Sequence, residues 1–574
     1  MVEIKKNDVL LRDKDRWLYF SNPHQIISVG EIDEVIPALQ ELELLVDRND
    51  WHAAGFLSYE SAPAFDAALL TQPISGFPYL WFGLYPEPRT VNLPNRNQPK
   101  AILKWQPNVD RQSYDAAIGK IKEFIANGKT YQVNYTMRLQ TDFSTGAWDF
   151  FLHFVQSQNT HAAYIDLGRY VICSASPELF FQLDGENITC RPMKGTVKRG
   201  RTTIEDQKRA DALKNSEKNR AENVMIVDMI RNDLGRIAKT GSIQATELFA
   251  IERYPTLWQM TSTVTAQTKS SLTDIFCALF PSASITGAPK VSTMKIIDEL
   301  ETAARKIYTG AIGYISPKRK AKFNVAIRTI LLDRETQKAE YGVGGGIVWD
   351  SDSQDEYAEA LLKAKLLSQS GIEFSLLETM LWTPQKGYYL FNKHIDRLLD
   401  SANYFDFSVS GKVIKEHLKE IVSTGDTPRR VRLLVNKNGV VKTELAAFHE
   451  EEKLICAHLA KQPIDSNNMF LFHKTTQRDV YNSARADFPD CEDVLLQNER
   501  DELTEFTIGN LVVELDRQLI TPPIACGLLA GTFRAHLLET GQIVEKVVPV
   551  HRLKDCTKIF RINSVRRWET VLIE

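Results

Sequence analysis

At 574 residues the chain exceeds what one hydrophobic core serves, so roughly two to four domains are expected. With 43% hydrophobic and 25% charged residues it has the composition of a globular protein, and a net charge of −3 supplies no basic field for nucleic acid. No run approaches the ~18 apolar residues of a membrane span, Met1 to Lys6 holds no apolar signal core, and the seven scattered cysteines form no Cys-x-x-Cys pair, which argues against disulfides or a zinc cluster and for a reducing cytoplasm.

Residues 1 to about 100 mix short strands with turns. Trp51 to Glu60 and Tyr79 to Tyr85 read as strands, and Glu87 to Lys100, rich in Pro and Asn, as a loop. A helix is expected from Ser113 to Asn127, with Tyr114, Ile118, Ile121 and Ile125 on one face and Gly128 as its cap. Strands follow at Tyr131 to Thr136 and Tyr170 to Ser174, then a hairpin from Leu179 to Thr189 that turns at Asp184-Gly185. In Arg191-Pro192-Met193-Lys194-Gly195-Thr196, Pro192 and Gly195 bracket one lysine in a segment read as a tight loop. A lysine so held could be a nucleophile, a base or a fixed charge, although most lysines are solvated surface groups.

Asn215 to Ile237 reads as a strong helix carrying Glu222, Ala283 to Lys290 as a loop, and Val291 to Thr302 as a helix. Strands are expected at Tyr308 to Ile315, Lys322 to Leu332 and Ala339 to Ile347. The last carries Gly342, Gly344, Gly345 and Gly346, a density that means either close backbone approach or a flexible loop. The helix Gln354 to Leu367 puts Glu356 and Glu359 on one face, where a carboxylate pair could hold a hard cation such as Mg²⁺ or simply be solvated. Ser368 to Gly371 reads as a linker, dividing the chain into units 1–368 and 369–574. The second unit opens at Phe374 to Leu381. It continues with the helix His394 to Phe405, the strand Arg430 to Asn436, the segment Phe470 to Lys474, and a Thr- and β-branched-rich stretch from Leu503 to Leu515.

In the first unit six motifs occur in one order. They are Ser176-Pro177-Glu178, Pro192-Met193-Lys194-Gly195-Thr196, Lys218 to Asn223 with Val227 to Arg236, Ile285 to Lys290, Ala326-Ile327-Arg328-Thr329, and Gly344-Gly345-Gly346-Ile347-Val348. Over about residues 20 to 368 the chain resembles the chorismate-utilising enzymes: anthranilate synthase and aminodeoxychorismate synthase component I, and the isochorismate and salicylate synthases. The resemblance implies a Mg²⁺ ion joining chorismate's ring carboxylate to Glu222 and Glu359, with Glu356 outside them. It implies Glu178 as the general acid for the C4 hydroxyl, Tyr308 and Arg328 as carboxylate ligands, and backbone N–H groups of Gly344, Gly345 and Gly346 facing the same anions. Isochorismate-type enzymes place a water-activating lysine where this chain has Gln132, so ammonia rather than water is the expected nucleophile. At position 194 anthranilate synthases carry alanine and aminodeoxychorismate synthases a nucleophilic lysine, so Lys194 points to amination at C4 through a covalent adduct. Met193 stands where isoleucine is usual. No glutaminase-like cysteine is recognisable, which implies a separate glutamine amidotransferase subunit as the ammonia source.

Residues 372–574 resemble the fold-type IV pyridoxal-phosphate enzymes, which include aminodeoxychorismate lyase and the branched-chain and D-amino-acid aminotransferases. The matching pieces are His394 to Leu398, Lys474, Leu503-Thr504-Glu505 with Gly509-Asn510, Thr521-Pro522-Pro523, and Gly531 to Arg534. They imply Lys474 as the Schiff-base lysine, Glu505 as the partner of the pyridine nitrogen, and Arg397, Gly531, Thr532 and Ser564 around the phosphate. The strand pair with which that family usually begins is missing. Together the resemblances imply an α+β protein: a large α/β sandwich of mixed and antiparallel sheets, then a smaller unit of two α/β subdomains. The expected activity is bifunctional synthesis of 4-aminobenzoate, the folate precursor. The alternatives are an anthranilate synthase-like first unit, an aminotransferase as the second, or a silent scaffold, against which the intact acids and lysines argue.

Overall fold

The computed structural model describes residues 4–94, 103–144, 146–156, 161–368, 373–422, 426–450 and 453–574. The expected linker lies outside them from residue 369 on, as do residues 95–100 of the expected loop. The protein is α+β, and its contacts divide it into two compact units. One comprises Met1–Lys198 and Ala210–Gly371, the other Arg199–Arg209 and Ile372–Glu574.

The first unit is built on two ten-stranded sheets. One contains the long strand Gln132–Asp142, which pairs with Lys338–Ile347; the other contains Met193–Lys198, which pairs with Leu257–Gln267. Val9, Phe20 and Ile172 of the first sheet meet Phe56, Trp81 and Ile312 of the second in one buried apolar layer, so the sheets pack face to face. Their outer faces are covered by helices, among them Glu217–Gly235 on the second sheet and Arg111–Ala126 and Ser353–Ser368 on the first. The second unit holds a four-stranded sheet around Leu376–Thr383 and an eight-stranded sheet in which Ile455–Leu459 runs parallel to its neighbours. The helix Phe391–Phe405 buries Ile395, Leu398 and Ala402 against the smaller sheet.

The expected elements recur with informative differences. The helix expected from Ser113 is Arg111–Ala126, capped by Asp110, whose carboxylate accepts from Ser113 N at 2.8 Å. The hairpin pairs Asp184 with Asn187, so the turn falls one residue later than expected, at Gly185-Glu186, with Gly185 at φ +63°. The strong helix begins at Glu217, because Ser216 caps it and separates it from the preceding helix Thr203–Asn215. The run Lys322 to Leu332, read as one strand, is two. Lys320–Val325 lies in the second sheet and Thr329–Asp333 in the first. The chain crosses between sheets at Ile327-Arg328, where Arg328 takes φ +49° without a glycine to announce it.

Candidate active sites

The stretch around Lys194 is a strand, Met193–Lys198, rather than a loop. Its pairing slips: Met193 faces Thr261 and Thr196 faces Gln259, so the Lys194-Gly195 segment carries one extra residue. A bulge re-aims a side chain while the ladder on either side holds it, and Gly195 at φ +95° makes the bend tolerable. Asn219, at the start of the helix that carries Glu222, packs against Gly195.

Lys194 faces a cavity of about 410 Å³. Glu178, Glu222, Tyr308, Arg328, Gly344, Gly345, Gly346, Glu356 and Glu359 line the same cavity, so residues spread over 180 positions converge on one space. Glu178 is buried and its Oε1 accepts from Ser284 Oγ at 2.5 Å. Burial raises its pKa to about 7, against the pull of Ser284 and Lys194. Burial also lowers the Lys194 pKa, although Glu222 and Glu178 act in the opposite sense. The acid is therefore biased toward its protonated form and the lysine toward its neutral one.

Strand pairing explains how the glycines are presented. Lys338–Ile347 pairs with Gln132–Asp142 as far as Ile347–Val133, but its ladder with Thr329–Asp333 stops at Tyr341–Ile330. The glycine segment beyond Tyr341 thus has one open edge, toward which alternate N–H groups point. Arg328 sits where the missing ladder would continue. The glycines also make room for side chains: a β-carbon at 342 would strike the Tyr308 ring, and one at 346 would collide with Gln132 and stand 2.9 Å from Lys194 Nζ. Gln132 does not line the cavity. It is buried behind Gly346, and neither of its amide atoms has a hydrogen-bond partner among the described residues. Tyr308 is held from behind by Arg138, whose guanidinium lies 5.3 Å from its ring centre and pairs with buried Glu301 at 3.2 Å.

Glu356 and Glu359 project from the helix Ser353–Ser368. Glu356 accepts from Ser351 Oγ at 2.8 Å, and burial and the neighbouring Glu359 raise its pKa. Glu359 pairs with Lys363 at 3.0 Å, and Lys363 Nζ also donates to Gly344 O at 2.7 Å. No group of three or more acidic, His or Cys side chains able to hold a metal occurs among the described residues. Mg²⁺ needs only one or two carboxylates when substrate oxygens and waters complete its octahedron, so Glu222 and Glu359 facing one cavity fit it. The sequence reasoning missed Ser284 and Lys363. Lys363 was findable, four residues beyond Glu359 on the same helical face; Ser284 was not, since its partner lies 106 residues away.

In the second unit, Lys474 follows the short helical turn Met469–Leu471, and its carbonyl accepts from Leu377 N at 2.9 Å. Burial, reinforced by Arg397, lowers its pKa to about 8. Glu505 is buried and accepts three bonds: from Tyr481 Oη at 2.8 Å, Asn510 Nδ2 at 3.0 Å and Leu529 N at 3.1 Å. Burial raises its pKa to about 7, opposed first by Tyr481. Arg397 forks onto buried Glu378 at 2.9 and 2.6 Å and donates to Ala530 O at 3.1 Å. That carbonyl immediately precedes Gly531, the N-terminal boundary of the helix Thr532–Glu539, which has no side-chain cap. A β-carbon at 531 would collide with Asn510, so the glycine lets one amide reach Glu505 and this helix start together. Ser564 Oγ donates to Thr379 O at 3.5 Å. A buried carboxylate, a lysine of lowered pKa and an uncapped helix start beside an arginine are a donor set that fits a pyridine nitrogen, an aldehyde and a phosphate. Tyr481 and Glu378 went unmarked in the sequence, as no spacing ties them to Glu505 and Arg397.

The first unit's sandwich and cavity are those of a chorismate-binding enzyme. Residues 8–369 match the chorismate binding enzyme family, to which the chain belongs, and residues 375–572 match the amino-transferase class IV family. Among curated proteins, the chain is 41% identical over 269 residues to aminodeoxychorismate synthase component 1 of Escherichia coli (strain K12), covering 46% of this chain and 59% of that one. It is 38% identical over 285 residues to the protein of the same name from Bacillus subtilis (strain 168), covering 49% and 60%. The match therefore spans about three-fifths of those relatives. The crystal structure of anthranilate synthase component I from Streptococcus pneumoniae TIGR4 shares the fold, with 24% identity, a TM-score of 0.55, and coverage of 64% of this chain and 94% of that one. No helix among the described residues is long and apolar enough to cross a membrane.

Proposed function

We propose that the chain makes 4-aminobenzoate in two steps: residues 1–368 aminate chorismate at C4, and residues 369–574 eliminate pyruvate from the product. The observation that carries the first step is the convergence of Glu178 and Lys194, with oppositely displaced pKa values, on one cavity. Neutral Lys194 forms a bond to the ring while Glu178 donates its proton to the C4 hydroxyl, which leaves as water. Ammonia then forms the C4–N bond, the lysine leaves with its electron pair, and the surplus ammonium proton returns to the Glu178 carboxylate. Arg328, Tyr308 and the open edge at Gly344 to Gly346 hold the substrate carboxylates. Mg²⁺, held by Glu222 and Glu359 with Glu356 behind them, would neutralise the substrate dianion. Ammonia comes from a glutamine amidotransferase subunit. In the second unit Glu505 would hold the pyridine nitrogen of pyridoxal phosphate, and Arg397, Gly531, Thr532 and Ser564 would hold its phosphate. Pyridoxal phosphate, once bound, supplies the electron sink, and Lys474 moves the proton. The seven free cysteines fit a cytoplasmic setting.

The test is incubation of the full chain with chorismate, Mg²⁺, pyridoxal phosphate and an ammonium salt, with the product identified by mass and fluorescence. 4-Aminobenzoate is expected. Anthranilate would refute the first assignment, and accumulated 4-amino-4-deoxychorismate the second.

The two displaced pKa values also set a pH profile. At constant free ammonia, amination should fall as pH rises above about 7, because Glu178 loses the proton it must donate. It should fall again toward acid as Lys194 gains one. Glu178→Gln should be slower by roughly 10²–10⁴-fold and lack the alkaline limb. An alkaline limb that survives this substitution would assign it elsewhere.

A further inference from the structure

Beside the helix start Thr532–Glu539 lies a buried chain of polar groups with a proton whose position is not fixed. Glu378 Oε2 sits 2.6 Å from His394 Nδ1, and His394 Nε2 sits 3.2 Å from Thr532 Oγ1. All three residues are at most 5% exposed, so water does not replace these partners. Burial alone would raise the Glu378 pKa, but Arg397 and His394 bring it down to about 2, so it is a carboxylate that can only accept. His394 Nδ1 therefore carries a proton.

What Nε2 carries decides what Thr532 can do. If Nε2 is bare, Thr532 must spend its one hydroxyl proton on it, and an anion at the helix start receives nothing from that hydroxyl. If Nε2 is protonated, it donates to Oγ1, and the hydroxyl proton is free to turn to the anion. The charged groups facing the ring are Glu378 from the strand Leu376–Thr383, Arg397 from its own helix, and Lys474. Burial holds the imidazole toward its neutral form before any anion arrives.

We propose that His394 is a positioning residue for a phosphate ester at this helix start: as the phosphate binds, a proton from solvent is taken up on His394 Nε2, and Thr532 turns its hydroxyl proton to a phosphate oxygen. The proposal rests on the reading that this unit binds pyridoxal phosphate, and it adds a proton to that binding step.

The test is calorimetric titration of the cofactor-free full chain with pyridoxal 5′-phosphate at pH 8, in two buffers of unequal ionisation enthalpy, which counts protons taken up. Proton changes at Lys474 are common to all variants and cancel. The wild type should take up about one proton more than His394→Asn, which keeps a donor for Glu378 but cannot titrate. Thr532→Val should weaken binding at least about ten-fold, the worth of a hydrogen bond to a charged group, whereas Thr532→Ser should bind as the wild type does. Equal proton uptake in wild type and His394→Asn would overturn the relay, as would tight binding by Thr532→Val. Absence of any binding or visible absorbance band in the wild type would instead overturn the cofactor reading beneath it.

Discussion

Alanine at position 194 should reduce C4 amination of chorismate by roughly 10²-fold or more, a loss at least as large as that of a positioned proton donor. The size follows from what the side chain is asked to do. Without a covalent adduct, ammonia must displace the C4 hydroxyl directly, and one hard displacement is no longer divided into two easier ones. The structure makes Lys194 suited to the task, since the strand bulge holds it and burial biases it toward the neutral, nucleophilic form. A second substitution separates this role from that of a fixed charge. Arginine at 194 keeps the charge but cannot be deprotonated, so Lys194→Arg should be as slow as Lys194→Ala. Single-turnover assays with ammonium salt measure both. Wild-type turnover in Lys194→Ala removes the covalent role, and rescue by arginine assigns a charge in its place.

Lys474→Ala should have the complementary effect. Elimination of pyruvate should fall by roughly 10²–10⁴-fold, the scale of a lost proton-transfer group, while the first unit continues to turn over. 4-Amino-4-deoxychorismate should then accumulate. The absorbance band of bound pyridoxal phosphate should also shift or vanish, because Lys474 is the lysine that would bond to the aldehyde. The pKa of about 8 matters here: a lysine lowered that far is neutral in a useful fraction near neutral pH and can both take and return a proton. Continued release of 4-aminobenzoate at the wild-type rate by this variant would move the second activity away from Lys474.

Both predictions began as readings of short motifs, and the motifs carried residue identity better than they carried shape. Lys194 was recognisable, but its segment looked like a loop because Pro192 and Gly195 are turn residues. Only a neighbouring strand pairing out of step shows it to be a bulge. Lys322 to Leu332 read as one strand because its apolar and β-branched run is continuous. Nothing local marks the crossing between sheets that leaves Arg328 at the open end of a ladder. The glycine run left two explanations level. Its surroundings show close approach by the chain's own side chains, Tyr308 and Gln132, together with an unpaired edge on the cavity.

By itself, then, the amino-acid sequence determined which chemistry-bearing residues this protein has, their order, the helical face shared by Glu356 and Glu359, and the division into two enzyme-like stretches. These are properties of spacing and residue type, which act over a few neighbours along the chain. Tertiary structure alone decided that Glu178 is buried against Ser284, that Lys363 reaches the Gly344 carbonyl, and that Glu378 joins Arg397 to His394 and, through it, to Thr532. Each depends on partners from distant segments. Desolvation, which displaces the pKa values of Glu178, Lys194, Lys474 and Glu505, exists only once the sheets have closed over these groups.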